Sequence, residues 1–133
     1  MRVINRIIIH STATPAGRIV TEADINRWHR EVGKRGTGYH FLIGLNGEVC
    51  KGRDISVAGA HVAGHNADSI GIAYVGGVAA DGRTPQDTRT DAQKAALADL
   101  VYKLQCDYPS ATVHGHNDFA ATACPSFNVA ADV

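Results

Sequence analysis

Three consecutive isoleucines, Ile7, Ile8 and Ile9, followed directly by His10, constrain this chain more than any other feature. Side chains alternate between the two faces of a strand, so an unbroken β-branched run places apolar groups on both. Such a strand is stable only inside a sheet covered on each face, the arrangement of layered α/β proteins. His10 then stands at the strand's end, an ionisable ring where the apolar run stops.

The remaining sequence supplies the layers. Thr21 ahead of Glu22 and Asp24 is an N-cap with acidic residues in the first turn, and Ile25, Trp28, His29 and Val32 follow at helical spacing up to Gly33. Residues 39–45 read as a strand, Asn46-Gly47 as a hairpin turn and 48–51 as the return strand. Residues 59–66, broken by Gly and Ala, read as a surface loop, and 70–75 as a β-rich strand closed by Gly76-Gly77. Thr90 caps a long helix whose apolar stripe is Ala92, Ala95, Ala96, Leu97, Leu100, Val101 and Leu104, ending before Pro109. A short strand at 111–114, a loop at 115–123 and a last helix opened by Pro125 complete the pattern. Strands of both orientations with helices between them predict a single α/β domain over residues 1–133, with a central mixed β-sheet flanked by helices.

Thirteen basic residues balance thirteen acidic ones, so no global field draws the chain to nucleic acid or an anionic membrane. The partner has to be read from a site. No apolar run approaches the roughly 20 residues that cross a bilayer, and no signal peptide is visible, so cytoplasmic synthesis is expected. Three cysteines, Cys50, Cys106 and Cys124, exclude a fully paired disulfide framework. Cys50 and Cys106 read most simply as buried thiols, with a bridge between them as the alternative.

Cys124 has company of another kind. Catalytic zinc takes three protein ligands of the His, Cys or carboxylate type and leaves a fourth position open. His10 closes the first strand, and His116 and Cys124 bracket one loop with seven residues between them, long enough to turn both side chains to one point.

Around these residues the sequence resembles a known family over nearly its whole length. The matching segments are Ile-Ile-Ile-His-Ser-Thr-Ala-Thr at 7–14, Ile-Asn-Arg-Trp-His at 25–29, and Gly-Tyr-His-Phe-Leu-Ile at 38–43. They continue with His61, Gly-His-Asn at 64–66, Ser-Ile-Gly-Ile at 69–72, Val-Gly-Gly at 75–77 and Ala-Cys-Pro-Ser-Phe at 123–127. In this order they resemble the N-acetylmuramoyl-L-alanine amidase type that includes phage lysozymes and the animal peptidoglycan recognition proteins. So many ordered matches are far more specific than one short motif.

The resemblance implies a peptidoglycan recognition protein-like fold and one zinc ion, with His10, His116 and Cys124 as ligands; the family's spacing to the cysteine selects His116 over His114. It implies peptidoglycan or a muropeptide as substrate, cut at the amide between N-acetylmuramic acid and L-alanine, in cell-wall lysis or remodelling, by a phage endolysin acting after release or a bacterial enzyme exported by another route. Family members that only bind peptidoglycan typically lack the metal-binding cysteine, so Cys124 favours an enzyme over the alternative, a non-catalytic peptidoglycan-binding module. Tyr39 falls on the family's catalytic tyrosine. Thr122 falls where phage members carry lysine and animal amidases threonine; its hydroxyl donates a hydrogen bond but is no general acid, which leaves Tyr39 or His61 to protonate the leaving amine.

Tyr39 and His40, neighbours on an expected strand, point to opposite faces, so only one reaches the cleft, and by the match it is Tyr39. Trp28, His29 and His40 read as packing residues. His61, His65 and Asn66, on the polar loop, are the expected substrate-binding residues. A hydrolase acting on a different amide of a related glycopeptide is a third possibility that these residues leave open. No nucleic acid or membrane partner is expected, and the chain is expected to be a monomer.

Overall fold

The computed structural model describes residues 2–133. Along the chain lie β1 (Arg6–Ser11), β2 (Thr14–Pro15), α1 (Glu22–Glu31), β3 (Phe41–Ile43), β4 (Val49–Lys51) and β5 (Ser69–Tyr74). They are followed by β6 (Gly77–Val78), α2 (Asp91–Asp107), β7 (Thr112–Gly115), a 3-10 turn at His116–Asp118 and α3 (Val129–Asp132). Five strands form one sheet in the order β4-β3-β5-β1-β7, with β4 antiparallel to β3 and every other pairing parallel. This is the mixed sheet expected from the sequence. β2 and β6 make a separate parallel pair.

Ile7, Ile8 and Ile9 are wholly buried, each contributing about 1.5–3 kcal/mol relative to exposure. Ile7 and Ile9 pack with Ile70, Ile72 and Tyr74 of β5 against Leu97, Val101 and Leu104 of α2. His10 alternates to the opposite face, where Ala73 packs with Ile25 of α1, Val20, Leu42 and Val75. In register, Gly71 lies beside Ile8 and Ala73 beside His10. The strand next to His10 therefore offers its two smallest residues to that face, and room is left there for rings.

Both long helices start where their caps predict. The Thr21 hydroxyl accepts from the Asp24 N–H (3.2 Å) while the Asp24 carboxylate accepts from the Thr21 N–H (3.0 Å), and Thr90 and Gln93 do the same at α2. Within α2 the expected stripe needs correction. Ala92 and Ala95 are exposed, and the buried place in the first turn belongs to Gln93, whose amide donates to the carbonyls of Val75 (2.9 Å) and Ile43 (3.3 Å). A hydropathy pattern passes over such a residue because its burial depends on two carbonyls at the ends of neighbouring strands.

Three other expectations change. The 39–45 strand is shorter, with Tyr39 and His40 ahead of β3. Pro125 opens no helix, because Ser126 has φ 70°, a left-handed conformation that a helical turn does not accommodate; α3 begins later, behind the Asn128 cap. Cys106 is exposed on α2 rather than buried, Cys50 is half-buried, and both thiols are free. Among the described residues no helix is long and apolar enough to cross a membrane.

Replacing Gln93 by Leu keeps the volume, leaves the buried Val75 carbonyl without its donor while Ile43 keeps the Val75 N–H, and removes the acceptor of the Thr90 N–H. We expect a loss of about 2–4 kcal/mol, measured by urea unfolding; an unchanged midpoint would show that Gln93 merely fills space.

Candidate metal centre

His10, at the end of β1, is 1% exposed, and its ring lies 4.7 Å from that of His116. Its Nδ1 is 3.8 Å from Cys124 Sγ, and the ligand atoms of His10, His116 and Cys124 all lie within 4.8 Å of one another. With Zn–N bonds of ~2.0–2.1 Å and a Zn–S bond of ~2.3 Å, adjacent nitrogen and sulfur ligands of a tetrahedral ion stand about 3.6 Å apart. The donor set and its spacing fit zinc with one position open. His114 is left out by register: it pairs with Ile8, two residues before His10, about 6.6 Å short along the strand. Its Nε2 instead meets Thr112 Oγ1 at 2.6 Å. His116, just past the end of β7, reaches the cluster.

The cysteine loop is tied down on both sides. The Ser11 backbone N–H donates to Cys124 Sγ (3.2 Å), the Asn117 N–H to the Cys124 carbonyl (2.9 Å), and the Cys124 N–H to Thr122 Oγ1 (3.3 Å). Beyond it the Tyr74 hydroxyl donates to the Pro125 carbonyl (2.6 Å) and the Ser126 hydroxyl to the Gly77 carbonyl (2.8 Å). Phe127 and Val129 then enter the core on the α2 face.

Tyr39 stands against the cluster, its ring 5.1 Å from His10 and 5.1 Å from His29. His40 turns elsewhere: its Nδ1 accepts from the Gly71 N–H (3.0 Å), which leaves Nε2–H to donate to the Val57 carbonyl (2.8 Å). His29 Nδ1 accepts from the Gly38 N–H (2.7 Å). Burial pushes the His10 and His116 imidazoles below their ordinary range, keeping them neutral and able to ligate. Burial, reinforced by the Cys124 thiolate, raises the Tyr39 phenol well above its usual value. Burial also raises the Cys124 thiol, against the pull of the Ser11 N–H; a cation at the cluster reverses that rise, since a coordinating thiol is deprotonated.

The 59–66 loop departs from expectation. His61 is no surface ligand; it is 8% exposed, with Nδ1 2.9 Å from His10 Nε2 and Nε2 3.2 Å from Ser69 Oγ. Both nitrogens are engaged inside the protein, which leaves neither free for a substrate. Asn66 closes the loop, its side-chain oxygen accepting from the His61 and Val62 N–H groups (2.9 Å each). His65 and Asn66 are both half-buried, and the His65 ring lies 4.5 Å from that of Phe119. Ser69, fully buried, is the site residue that sequence reasoning missed. Its signal was Gly71, a glycine inside an apolar strand, which marks close approach by another group.

Acid tests these neutral rings. Burial first, then Lys34 and Arg53, lowers His29 to about 4, and burial lowers His61 to about 3, against about 6.5 in an unfolded chain. The unfolded chain therefore binds more protons below pH about 6.5, and stability present above that pH is lost as pH falls toward about 4. We expect the urea midpoint of the metal-free protein to drop between pH 7 and pH 4.5. His29→Asn, which keeps an acceptor for Gly38, should drop less; an equal drop would exclude His29 as a source.

Comparison with known proteins agrees with this geometry. A family model described as N-acetylmuramoyl-L-alanine amidase matches residues 1–127. The endolysin of Klebsiella phage KP32 is 41% identical over 125 residues, covering 94% of this chain and 82% of that protein. Among solved structures, the endolysin amidase LysCS from Clostridium intestinale superposes with a TM-score of 0.82 at 30% identity, over 94% of this chain and 76% of the other. Drosophila PGRP-LB superposes with a TM-score of 0.79 at 27% identity, over 94% and 76%. The sheet order, the cluster at the end of β1 and a match spanning almost every residue lead to one assignment: this chain belongs to the N-acetylmuramoyl-L-alanine amidase family.

Proposed function

We propose that residues 1–133 form one zinc-dependent catalytic domain that hydrolyses the amide between N-acetylmuramic acid and L-alanine in peptidoglycan, with the zinc held by His10, His116 and Cys124. The observation that carries the zinc reading is the convergence of these three ligand atoms within 4.8 Å. By likeness to the phage endolysins, the chain is made in the cytoplasm and reaches the wall on release. It works as a monomer on peptidoglycan or a muropeptide.

An amide resists hydrolysis because water is a weak nucleophile at neutral pH and the tetrahedral intermediate carries a poorly stabilised negative charge. A zinc ion in this centre supplies an activated water near pH 7 and polarises the carbonyl. The protein does the rest. Two neutral imidazoles and one thiolate cancel only part of a divalent charge, so the centre stays electrophilic. Tyr39, kept protonated by burial, presents its O–H to the developing oxyanion. Thr122 accepts from the Cys124 N–H through its oxygen, which leaves its own O–H free to donate. The Tyr39 hydroxyl passes a proton from the attacking water to the leaving amine, accepting one as it gives its own, and so never has to ionise. With His61 sealed beneath His10, the substrate contact argued from the loop rests on His65.

Two measurements test this. The wild type is expected to hold about one zinc per chain and to free L-alanine amino groups from purified peptidoglycan without new reducing sugars, and Cys124→Ser to do neither. Zinc-loaded wild type that binds peptidoglycan and frees no amino groups would make the chain a recognition module instead. Tyr39→Phe should retain zinc and lose about 10²–10³-fold in kcat; a loss below about threefold would remove Tyr39 from the chemistry.

A further inference from the structure

We infer that His61 is a positioning residue of the metal centre, fixing the tautomer and direction of the His10 ring so that Nδ1, and not Nε2, faces the metal. The inference rests on the zinc assignment proposed above. It starts from the two nitrogens of His10. Nε2 lies 2.9 Å from His61 Nδ1, and Nδ1 lies 3.8 Å from Cys124 Sγ. One nitrogen is taken by a buried neighbour while the other looks toward the second ligand. To ligate through Nδ1, the neutral ring must carry its proton on Nε2, and that N–H has one acceptor in reach, His61 Nδ1. The proton of His61 then sits on Nε2 and donates to Ser69 Oγ at 3.2 Å. The chain His10–His61–Ser69 assigns every tautomer, which is how a partner behind the ligand orients a metal-binding histidine.

The fold is shaped to hold that second ring. A Cβ built on Gly71 would come within 2.7 Å of His61 Cγ and Cδ2, and one on Gly59 within 2.5 Å of His61 Cδ2. Neither glycine has the positive φ that would call for glycine on conformational grounds, so each is there for space. Gly71 sits in the interior of β5 beside Ile8, where a glycine weakens a strand. Strand stability is given up at this point for a slot, and the slot holds His61. Its ring stands edge-on to His10, centroids 4.9 Å apart and planes at 86°, the attitude of an in-line N–H to ring-nitrogen bond. Asn66 locks the loop end through the His61 and Val62 N–H groups.

The test uses two side chains of nearly equal shape. Asn at position 61 sets an amide oxygen where Nδ1 was and still accepts from His10; Leu fills the same space and accepts nothing. Zinc affinity is measured by chelator competition, and the ligand field by visible absorption of the cobalt(II)-loaded protein. His61→Leu should weaken zinc about 10–100-fold and alter the cobalt spectrum. His61→Asn should stay within about threefold of wild type with a wild-type spectrum. Ser69→Ala, which frees the His61 tautomer, should fall between them. Wild-type affinity and spectrum in His61→Leu overturn the inference, and so does equal damage from Leu and Asn, which marks a packing role. If His61→Leu fails to fold, as judged by melting of the metal-free protein, Ser69→Ala decides alone: undiminished affinity overturns it. A wild type that holds no zinc would instead refute the zinc assignment.

Discussion

The pairing of β1 with β5 is the contact from which the rest of this structure follows. Arg6 to Ser11 lie in parallel register against Ser69 to Tyr74, and both strands are buried on both faces. On one face the register stacks Ile7 and Ile9 with Ile70, Ile72 and Tyr74 under α2, a continuous apolar layer. On the other it sets Gly71 and Ala73 beside Ile8 and His10, and the volume missing at Gly71 holds the His61 ring behind the first ligand. One residue of slip in this pairing would send His10 into the α2 core and the isoleucines into the cleft. The same hydrophobic burial that stabilises the sheet therefore positions the first ligand.

A second constraint is electrostatic. His61 and His116 lie against His10, His40 against His61 and His29 against Tyr39, and burial favours the neutral form of all five imidazoles. Such a gathering is tolerable because most ring nitrogens have an assigned neutral partner: Gly38 for His29, Gly71 and Val57 for His40, His10 and Ser69 for His61. The unpaired capacity is concentrated where His10, His116 and Cys124 converge. Neutral imidazoles are what a zinc ion needs, and the thiolate beside them is what makes a cation welcome. Acid sensitivity is the cost of keeping these rings uncharged.

Much of this was legible in the chain itself. The β-branched run at 7–9, the Thr21 and Thr90 caps and the Asn46-Gly47 turn carry local signals, and each produced the expected element. The ligand triad was legible for a different reason, since its spacing matched a family pattern. What escaped were burials that depend on partners distant in sequence. Gln93 looks like a surface residue until the carbonyls of Ile43 and Val75 are placed above it. His61 looks like a loop histidine until Gly71 opens a slot in β5. Pro125 departs for a local reason, the left-handed turn at Ser126.

The sequence by itself determined the layered sheet, the starts of the two long helices and the residue types gathered for metal chemistry, because hydrophobic periodicity and capping act over a few residues. Only the tertiary structure decided that His61 lies behind His10 rather than before the substrate, and that Gln93 is buried beneath the carbonyls of Ile43 and Val75. Those outcomes are set by strand register and by which small residues leave room, and register is a relation between segments that no single segment contains.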